Sequence, residues 1–179
     1  LRELARIAKE LTTGYVQVTT RANFQLRLIA PKDAPEFLRR LQGVGLHARG
    51  SGADNIRNLT SNPTAGIDPL EIIDCTPHVR ELADFIFSHR EFYNLPRKFN
   101  IAFDGGGRIG SVEDTNDIGA KAVRLADGSV AFRIALGGAT GHKAFARDLG
   151  VAVPPEDIVK VIIAIVRVFI ANGNRGDRK

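Results

Sequence analysis

Two adjacent cations, an amide and three glycines lie within one short stretch of the chain, and this set could bind an anion. Arg97 and Lys98 follow a proline, Asn100 comes next but one, and residues 105–107 are all glycine. Hydrophobic residues alternate with these side chains, as in a half-buried strand: Phe99, Ile101 and Phe103. Since side chains on a strand alternate between faces, Lys98 and Asn100 share one face. The alternative is an ordinary edge strand with solvated polar residues.

Two further segments carry candidate polar groups. Residues 43–68 are rich in Gly, Ser, Asn, Asp, Pro and Thr, and they include Arg49 and Arg57. A polar loop this long within a compact domain is usually functional or disordered, and its turn formers and spaced apolar residues favour an ordered, functional loop. Residues 137–143 form a glycine loop ending in a lysine, which is either an anion site or a plain turn from a strand to a helix.

The composition excludes several classes of site. The chain has 179 residues, a net charge of +5, a pI near 9.7 and one cysteine, Cys75. A single thiol excludes an internal disulfide and a metal site built from several thiolates of this chain, and it favours a reducing, cytoplasmic location. The cations are scattered and no apolar run approaches the roughly 20 residues that cross a bilayer, so we expect neither nucleic acid nor membrane as a partner.

The first elements predict part of an α+β unit. Apolar spacing predicts helices over residues 1–11 and 31–41, and alternation predicts strands over 15–20 and 23–29. The link between these strands is short and polar, which favours an antiparallel pair. The chain begins without methionine, so we expect a piece of a longer protein.

The remaining elements should position the cations and the glycines. A helix is predicted over residues 77–93, and its histidines, His78 and His89, are too far apart to ligate one metal ion directly, so we interpret them as capping or solvated. The strand with Lys98 follows. Two strands over residues 118–125 and 129–136 are joined at an Asp-Gly turn, a strong hairpin signal. A helix opens near Pro154 and runs to Ala171, and its apolar run at 161–166 predicts packing between layers.

Four ordered motifs resemble the sirohaem-dependent nitrite and sulfite reductases. They are Thr20–Gln25 (TRANFQ), Asp54–Asn58 (DNIRN), Asn62–Pro69 (NPTAGIDP) and Leu95–Asn100 (LPRKFN). The closing residues 174–179, NRGDRK, are similar to a further motif of that family. The resemblance covers nearly the whole chain.

The resemblance implies a fold, a reaction and cofactors. It implies an α+β protein with a ferredoxin-like half domain over residues 1–48. An α/β sirohaem-binding domain with a mostly antiparallel sheet would follow over 49–179. Proteins of this family reduce nitrite to ammonia or sulfite to sulfide by six electrons. An external donor such as ferredoxin supplies the electrons, which pass through a [4Fe–4S] cluster to the sirohaem.

The resemblance also assigns roles to seven residues. The residues implied to bind the cofactor are Arg21, Gln25, Asn58 and Arg97. The residues implied to act on the substrate are Arg57, Lys98 and Asn100. Cationic and amide side chains suit these roles, because they stabilise the carboxylates of sirohaem and the charge that develops on oxygen.

This chain departs from the family pattern in its cysteines. The four cluster cysteines are absent, and Cys75 lies outside any such motif, so the cluster ligands should lie outside this chain and Cys75 should be structural. A substrate-side arginine expected upstream of Leu1 is absent as well. We therefore expect an internal fragment that is inactive alone.

Asn100 favours nitrite over sulfite. Sulfite reductases of the family typically place lysine there, whereas nitrite reductases place asparagine and share the segment 62–68. One cation about 4 Å from an anion is worth roughly 4 kcal/mol at an effective dielectric of about 20, which could reorder the preference between a monoanion and a dianion. The alternatives are a sulfite reductase, a cobalamin-pathway oxygenase related to the reductases, and a non-catalytic or nucleic-acid-binding α+β module. The strands of this chain lack the aromatic residues on which bases stack, and this counts against nucleic-acid binding.

Overall fold

The computed structural model describes residues 1–176, so the last three residues of the closing motif lie outside the described residues. The chain forms two compact units, one over Leu1–Arg49 and one that begins at Gly50.

The first unit consists of two helices and a short hairpin. Helix α1 is Arg2–Leu11, strand β1 is Gln17–Val18, strand β2 is Phe24–Gln25, and helix α2 is Ala34–Gly43, which follows a 3-10 turn. The predicted antiparallel pairing of the strands is confirmed, but both are shorter than expected. Ala22 and Leu28 have φ values of 51° and 59°, which interrupt the extended backbone before and after β2.

Buried residues of both helices hold the first unit together. Leu4, Ile7 and Leu41 form its core. Arg40 reaches two carboxylates of α1, with its Nε 2.6 Å from Glu3 and its Nη1 2.6 Å from Glu10. An arginine fork between two acids crosslinks α2 to α1.

The second unit is a five-stranded mixed sheet with two helices. Its strands follow in order: β3 is Ile56–Thr60, β4 is Phe99–Asp104, β5 is Ile118–Arg124, β6 is Val130–Leu136 and β7 is Arg147–Val153. Helices α3, Thr76–Ser88, and α4, Ile158–Asn172, complete it. The predicted hairpin of β5 and β6 is confirmed.

The sheet is mixed, whereas a mostly antiparallel sheet was expected. Strand β4 pairs in parallel with both β3 and β5, whereas β6 pairs antiparallel with β5 and with β7. Helix α3 carries the chain from β3 back to the start of β4, and such a crossover permits parallel pairing.

Strands β3 and β7 were not predicted, and each has a reason. Strand β3 lies within the segment predicted as a loop, because Arg57 and Asn58 hide its hydrophobic alternation, although Ile56 and Thr60 are buried. Strand β7 is an edge strand, exposed along most of its length and interrupted by Gly150 at a φ of 74°. The glycine loop at 137–143 therefore joins two strands, and the predicted turn from a strand to a helix is wrong.

Strand β4 is buried on both faces, not half-buried, and it lies inside the sheet. Phe99, Ile101 and Phe103 join the core formed with α3 and α4. Ala102 and Asp104, on the opposite face, are also buried. The loop after β4 covers that face, and a Cβ on Gly110 would lie 2.9 Å from the Asp104 carboxylate. The interpretation as an edge strand is therefore wrong.

Helix α4 is buried on one side within the described residues. Ile158, Ile162 and Val166 lie in the core, whereas Ala164 is exposed and Val168 is 62% exposed. Packing between two layers was expected from its apolar composition, and only one of those layers is found in residues 1–176.

The buried Asn62 side chain ties the end of β3 to the glycine loop after β4. Its Nδ2 donates to Asp104 Oδ1 at 3.0 Å and to the carbonyls of Gly106 and Ile109 at 3.1 and 2.9 Å. The amide N–H of Gly105 donates to Asn62 Oδ1 at 2.6 Å. A Cβ at Gly105 would collide with the carbonyl oxygen of Ile73, so this close approach requires glycine. The segment 62–68 is therefore part of the scaffold.

We predict that Asn62→Ala lowers the free energy of unfolding by about 3 kcal/mol, because it removes one hydrogen bond of the buried Asp104 carboxylate and leaves the buried N–H of Gly105 without its acceptor. Urea denaturation of the purified chain would measure this loss. Asn172→Ala is the matched control, because this exposed amide makes one hydrogen bond, to Val168 O at 2.9 Å. Equal losses in the two variants would contradict the role given to Asn62.

Candidate functional site

Three polar residues form a row at the amino ends of β3, β4 and β5. The pairing register places Asn58 opposite Asn100. Ile118 of β5 pairs with Ile101 of β4, and Asp117 directly precedes Ile118 as Asn100 directly precedes Ile101. Parallel strands begin at the same edge of a sheet, so these side chains meet there. We call Asn58, Asn100 and Asp117 the amide row.

Within the amide row, Asn58 donates a hydrogen bond to Asn100, and Asn100 donates to Asp117. Asn58 Nδ2 donates to Asn100 Oδ1 at 3.0 Å. The backbone N–H of Asn100 donates to Asp117 Oδ2 at 2.8 Å, and Asn100 Nδ2 donates to the same oxygen at 3.3 Å. One hydrogen of the Asn100 amide is left without an acceptor in the part of the chain that the structure describes.

Arg57 lies at a β-bulge beside this row. Ile56 pairs with Phe99 and Asn58 with Asn100, so Arg57 is the extra residue of β3. The bulge lets Ile56 enter the core while Asn58 faces the opposite side, since a bulge changes the direction of the following side chains. Arg57 is half-buried, and its Nε donates to Ala53 O at 2.7 Å. Its charge is not paired with a carboxylate of residues 1–176.

Arg97 and Lys98 lie directly before β4. Lys98 is exposed and Arg97 is half-buried, and neither side chain makes an ion pair or a hydrogen bond within the described residues. Lys98 is two positions from Asn100, which is the spacing of side chains on one face of a strand, but β4 begins only at Phe99. Two unpaired cations thus precede Asn100 in the sequence.

Arg21 and Gln25 belong to the first unit. Arg21 lies in the turn between β1 and β2, and its backbone N–H donates to Thr19 Oγ1 at 3.4 Å. Gln25 pairs with Gln17 across the hairpin, and its Oε1 accepts from Arg27 Nη2 at 3.0 Å. The other five predicted site residues all lie in the second unit.

The described residues offer no ligand set for an iron–sulfur cluster. Cys75 is fully buried, and burial raises the pKa of its thiol to about 12. A buried thiol with this pKa is not a ready thiolate ligand. No group of three or more His, Cys, Asp or Glu side chains in residues 1–176 is placed to hold a metal ion.

The two helix histidines pack against aromatic rings. His78 lies edge-on to Phe132, with ring centroids 5.4 Å apart. His89 stacks on Phe85 at 3.7 Å, and its Nδ1 lies 2.7 Å from the carbonyl oxygen of the same residue. Both rings pack against aromatic side chains, and the buried Nδ1 of His78 has no hydrogen-bond partner among the described residues.

A polar cavity of about 510 Å³ lies near the carboxyl end of β4. Both of its cations lie beside buried carboxylates: Lys121 Nζ lies 3.4 Å from Glu113 and 3.9 Å from Asp104, and Arg133 Nη2 lies 3.9 Å from Glu113. Because these cations are already paired with buried carboxylates, we interpret the cavity as an ion-pair network.

Asp117 is the residue of this site that the sequence did not reveal. A polar Asn-Asp pair directly before the strand at Ile118 is the only signal, and it is a common feature of strand ends. Its meaning depends on the parallel pairing of β4 with β5, which was not predicted.

Two family models together match most of the chain. The ferredoxin-like half domain of nitrite/sulfite reductases matches residues 1–44, and the 4Fe-4S domain of nitrite and sulphite reductases matches residues 52–179. No helix in residues 1–176 is both long and apolar enough to cross a membrane.

Similar proteins carry related names. The ferredoxin–nitrite reductase of Synechococcus elongatus is 39% identical over 171 residues, which are 92% of this chain and 33% of that protein. The ferredoxin–nitrite reductase of Leptolyngbya laminosa is 39% identical over the whole chain and 36% of its own length. The chain spans about a third of the length of these curated relatives.

A solved structure shares the fold. The NirA protein of Mycobacterium tuberculosis superposes with a TM-score of 0.89 at 26% identity, covering 99% of this chain and 32% of that one. With family models matching both compact units and with these relatives, the chain belongs to the nitrite and sulphite reductase family.

Proposed function

We propose that the protein containing this chain reduces nitrite to ammonia with electrons from ferredoxin. The observation that carries this proposal is the match of 92% of the chain to a ferredoxin–nitrite reductase at 39% identity. The neutral amide at position 100 supports nitrite over sulfite, because the site then offers fewer positive charges to a dianion. A sulfite reductase of the same family is the second candidate, since the matching family models name both activities.

The second unit has side chains that fit sirohaem and its bound anion. The carboxylates of sirohaem need cationic and amide partners, and three cations here pair with no carboxylate of residues 1–176: Arg57, Arg97 and Lys98. Sirohaem would supply the iron at which the anion is reduced. Arg97 and Asn58 would hold its carboxylates by charge-assisted and neutral hydrogen bonds. Arg21 and Gln25 of the first unit carry the same types of group, and we propose that they too bind the cofactor.

Arg57, Lys98 and Asn100 would act on the anion. The Arg57 guanidinium and the Lys98 ammonium would stabilise negative charge on its oxygens, and the free hydrogen of the Asn100 amide would fix its orientation. Lys98 Nζ also carries a proton that it could donate to an oxygen atom leaving nitrogen. The [4Fe–4S] cluster would be held by thiolates outside this chain, because the buried Cys75 does not fit it. A free thiol suits the cytoplasm, the location we propose.

The full-length protein should convert nitrite to ammonium when it is supplied with reduced ferredoxin. Ammonium formed per nitrite consumed would be measured, with sulfite as the competing substrate. A kcat/KM for sulfite above that for nitrite would favour the second candidate, and no reduction of either anion by sirohaem-loaded protein would contradict both.

We predict that Arg21→Ala lowers sirohaem content more than Lys98→Ala in the full-length protein, because Arg21 is assigned to the cofactor and Lys98 to the substrate. Sirohaem absorbance per protein would be compared after identical purification. Arg124→Ala, at an exposed position at the end of β5, is the control. Equal losses in the first two variants would show that the roles are misassigned.

We predict that Asn100→Lys raises the ratio of sulfite to nitrite kcat/KM by roughly fivefold, equivalent to about 1 kcal/mol, since an added ammonium attracts a dianion about twice as strongly as a monoanion. The Asp117 carboxylate beside position 100 would neutralise part of the new charge, which keeps the effect modest. Kinetics with one artificial donor would measure the ratio.

Ala126→Lys adds the same charge in the exposed hairpin turn and should leave the ratio unchanged. If Asn100→Lys gives an unchanged or lower ratio while sirohaem content is intact, Asn100 does not discriminate between the anions.

We predict that the 179-residue chain alone neither assembles a [4Fe–4S] cluster nor reduces nitrite, because such a cluster needs four thiolates and the chain has one cysteine. Iron and sulfide analysis after reconstitution would test this. Four irons per chain with the absorbance of a cluster would refute it.

A further inference from the structure

We propose that Asp117 is a positioning residue that fixes the Asn100 amide so that a free N–H of this amide is presented to the substrate anion. The inference rests on the proposed function, in which Asn100 acts on the anion. It assigns a role to a residue that lies outside the four motifs of the resemblance.

The contacts of Asn100 hold it from both sides. One oxygen of Asp117 accepts the backbone N–H of Asn100 at 2.8 Å and its Nδ2 at 3.3 Å. From the other side, Asn58 Nδ2 donates to Asn100 Oδ1 at 3.0 Å. The Asn100 side chain therefore cannot rotate without losing hydrogen bonds to both neighbours.

The chemistry of a carboxylate explains why the orientation is unique. An ionised carboxylate only accepts hydrogen bonds, so the nitrogen of the Asn100 amide must face Asp117 and its oxygen must face Asn58. An amide at position 117 could turn either its oxygen or its nitrogen toward Asn100, and the opposite orientation of Asn100 would then become accessible. The carboxylate thus keeps the second N–H of Asn100 as a donor and its carbonyl away from an anion.

Asp117 is itself held in place. Its carbonyl accepts the N–H of Gly137 at 2.9 Å. The preceding residue, Asn116, is 2% exposed, and its Nδ2 donates to the carbonyls of Val112 and Glu113 at 3.3 Å each. A Cβ on Gly138 would collide with the Asn116 carbonyl oxygen, so the loop packs tightly against the end of β6. A rigid support of this kind is what the precise placement of a substrate-contacting group requires.

A carboxylate beside an anion site has an electrostatic cost, and the geometry offsets it. Two N–H groups of Asn100 converge on a single oxygen of Asp117, and their positive ends screen part of its negative charge. The hydrogen bond that Asn100 Oδ1 accepts from Asn58 Nδ2 polarises the amide and strengthens its remaining N–H as a donor.

A double-mutant cycle in the full-length protein tests the inference. Its variants are Asp117→Ala, Asn100→Ala and the pair together, with Asp117→Asn as the isosteric variant and Asp127→Asn as the control. Asp127 is an exposed carboxylate that accepts the backbone N–H of Ser129 at 2.9 Å in the hairpin turn. Nitrite kcat and KM, sirohaem content and thermal stability would be measured for each protein.

We expect Asp117→Ala to lower kcat/KM for nitrite about 10-fold, as loss of a supporting partner commonly does, with sirohaem content retained. Asp117→Asn should lose less, because its oxygen can still accept the Asn100 backbone N–H. In the Asn100→Ala background, Asp117→Ala should have almost no further effect. The Asp127→Asn variant should match the unmodified protein.

Each contrary outcome has a separate meaning. If Asn100→Ala lowers kcat/KM but Asp117→Ala and Asp117→Asn do not, the positioning role is wrong and the proposed function stands. If the losses from Asp117→Ala and Asn100→Ala multiply, Asp117 does not act through Asn100, and the inference is overturned. If Asn100→Ala has no effect, the substrate role of Asn100 fails and the inference fails with it. If Asp117→Ala does not fold, the same comparisons are made with Asp117→Asn.

Discussion

The parallel pairing of β3 with β4 is the constraint on which the rest of the second unit depends, and an asparagine secures it at each end. At the carboxyl ends, the buried Asn62 amide binds Asp104 and the loop at Gly105. At the amino ends, Asn58 binds Asn100. Because a slip of one residue would turn every side chain to the other face, two amide contacts at opposite ends fix the register and bring Asn58 beside Asn100.

This arrangement separates scaffold from site among residues that the sequence presents together. The segment 62–68 suggests a functional loop because it is polar, yet its contacts are internal. Asp68 accepts the backbone N–H groups of Arg108 and Leu70 at 2.7 and 2.9 Å, and these hydrogen bonds lower the pKa of its carboxyl group. The glycines at 105–107 pack closely against residues 68–73. The loop that their sequence suggested as an anion site is therefore part of the packed scaffold.

The sequence predicted the elements with strong periodicity and failed where burial or pairing overrode the pattern. Helices α1, α2 and α3 follow from apolar spacing, α4 follows from its length and end signals, and the hairpin follows from its Asp-Gly turn. Strand β3 could not be predicted, because its bulge at Arg57 breaks the alternation, and parallel pairing leaves no local signal in the sequence. The sequence assigned five of the predicted site residues to the second unit. The contact of Asp117 with Asn100 could not be predicted, because it depends on the pairing of β5 with β4.

The pairing of the cations differs between the two ends of β4, and this difference supports the anion site that we propose at its amino end. Near its carboxyl end, Lys121 and Arg133 face the buried carboxylate of Glu113, so an incoming anion would have to displace an ion pair and leave a buried charge uncompensated. Near its amino end, Arg57 and Lys98 pair with no carboxylate of the described residues, and the nearby acid, Asp117, is already engaged by Asn100. The charges of both ends are present in the sequence, but only the pairing of each cation distinguishes an ion-pair network from an anion site.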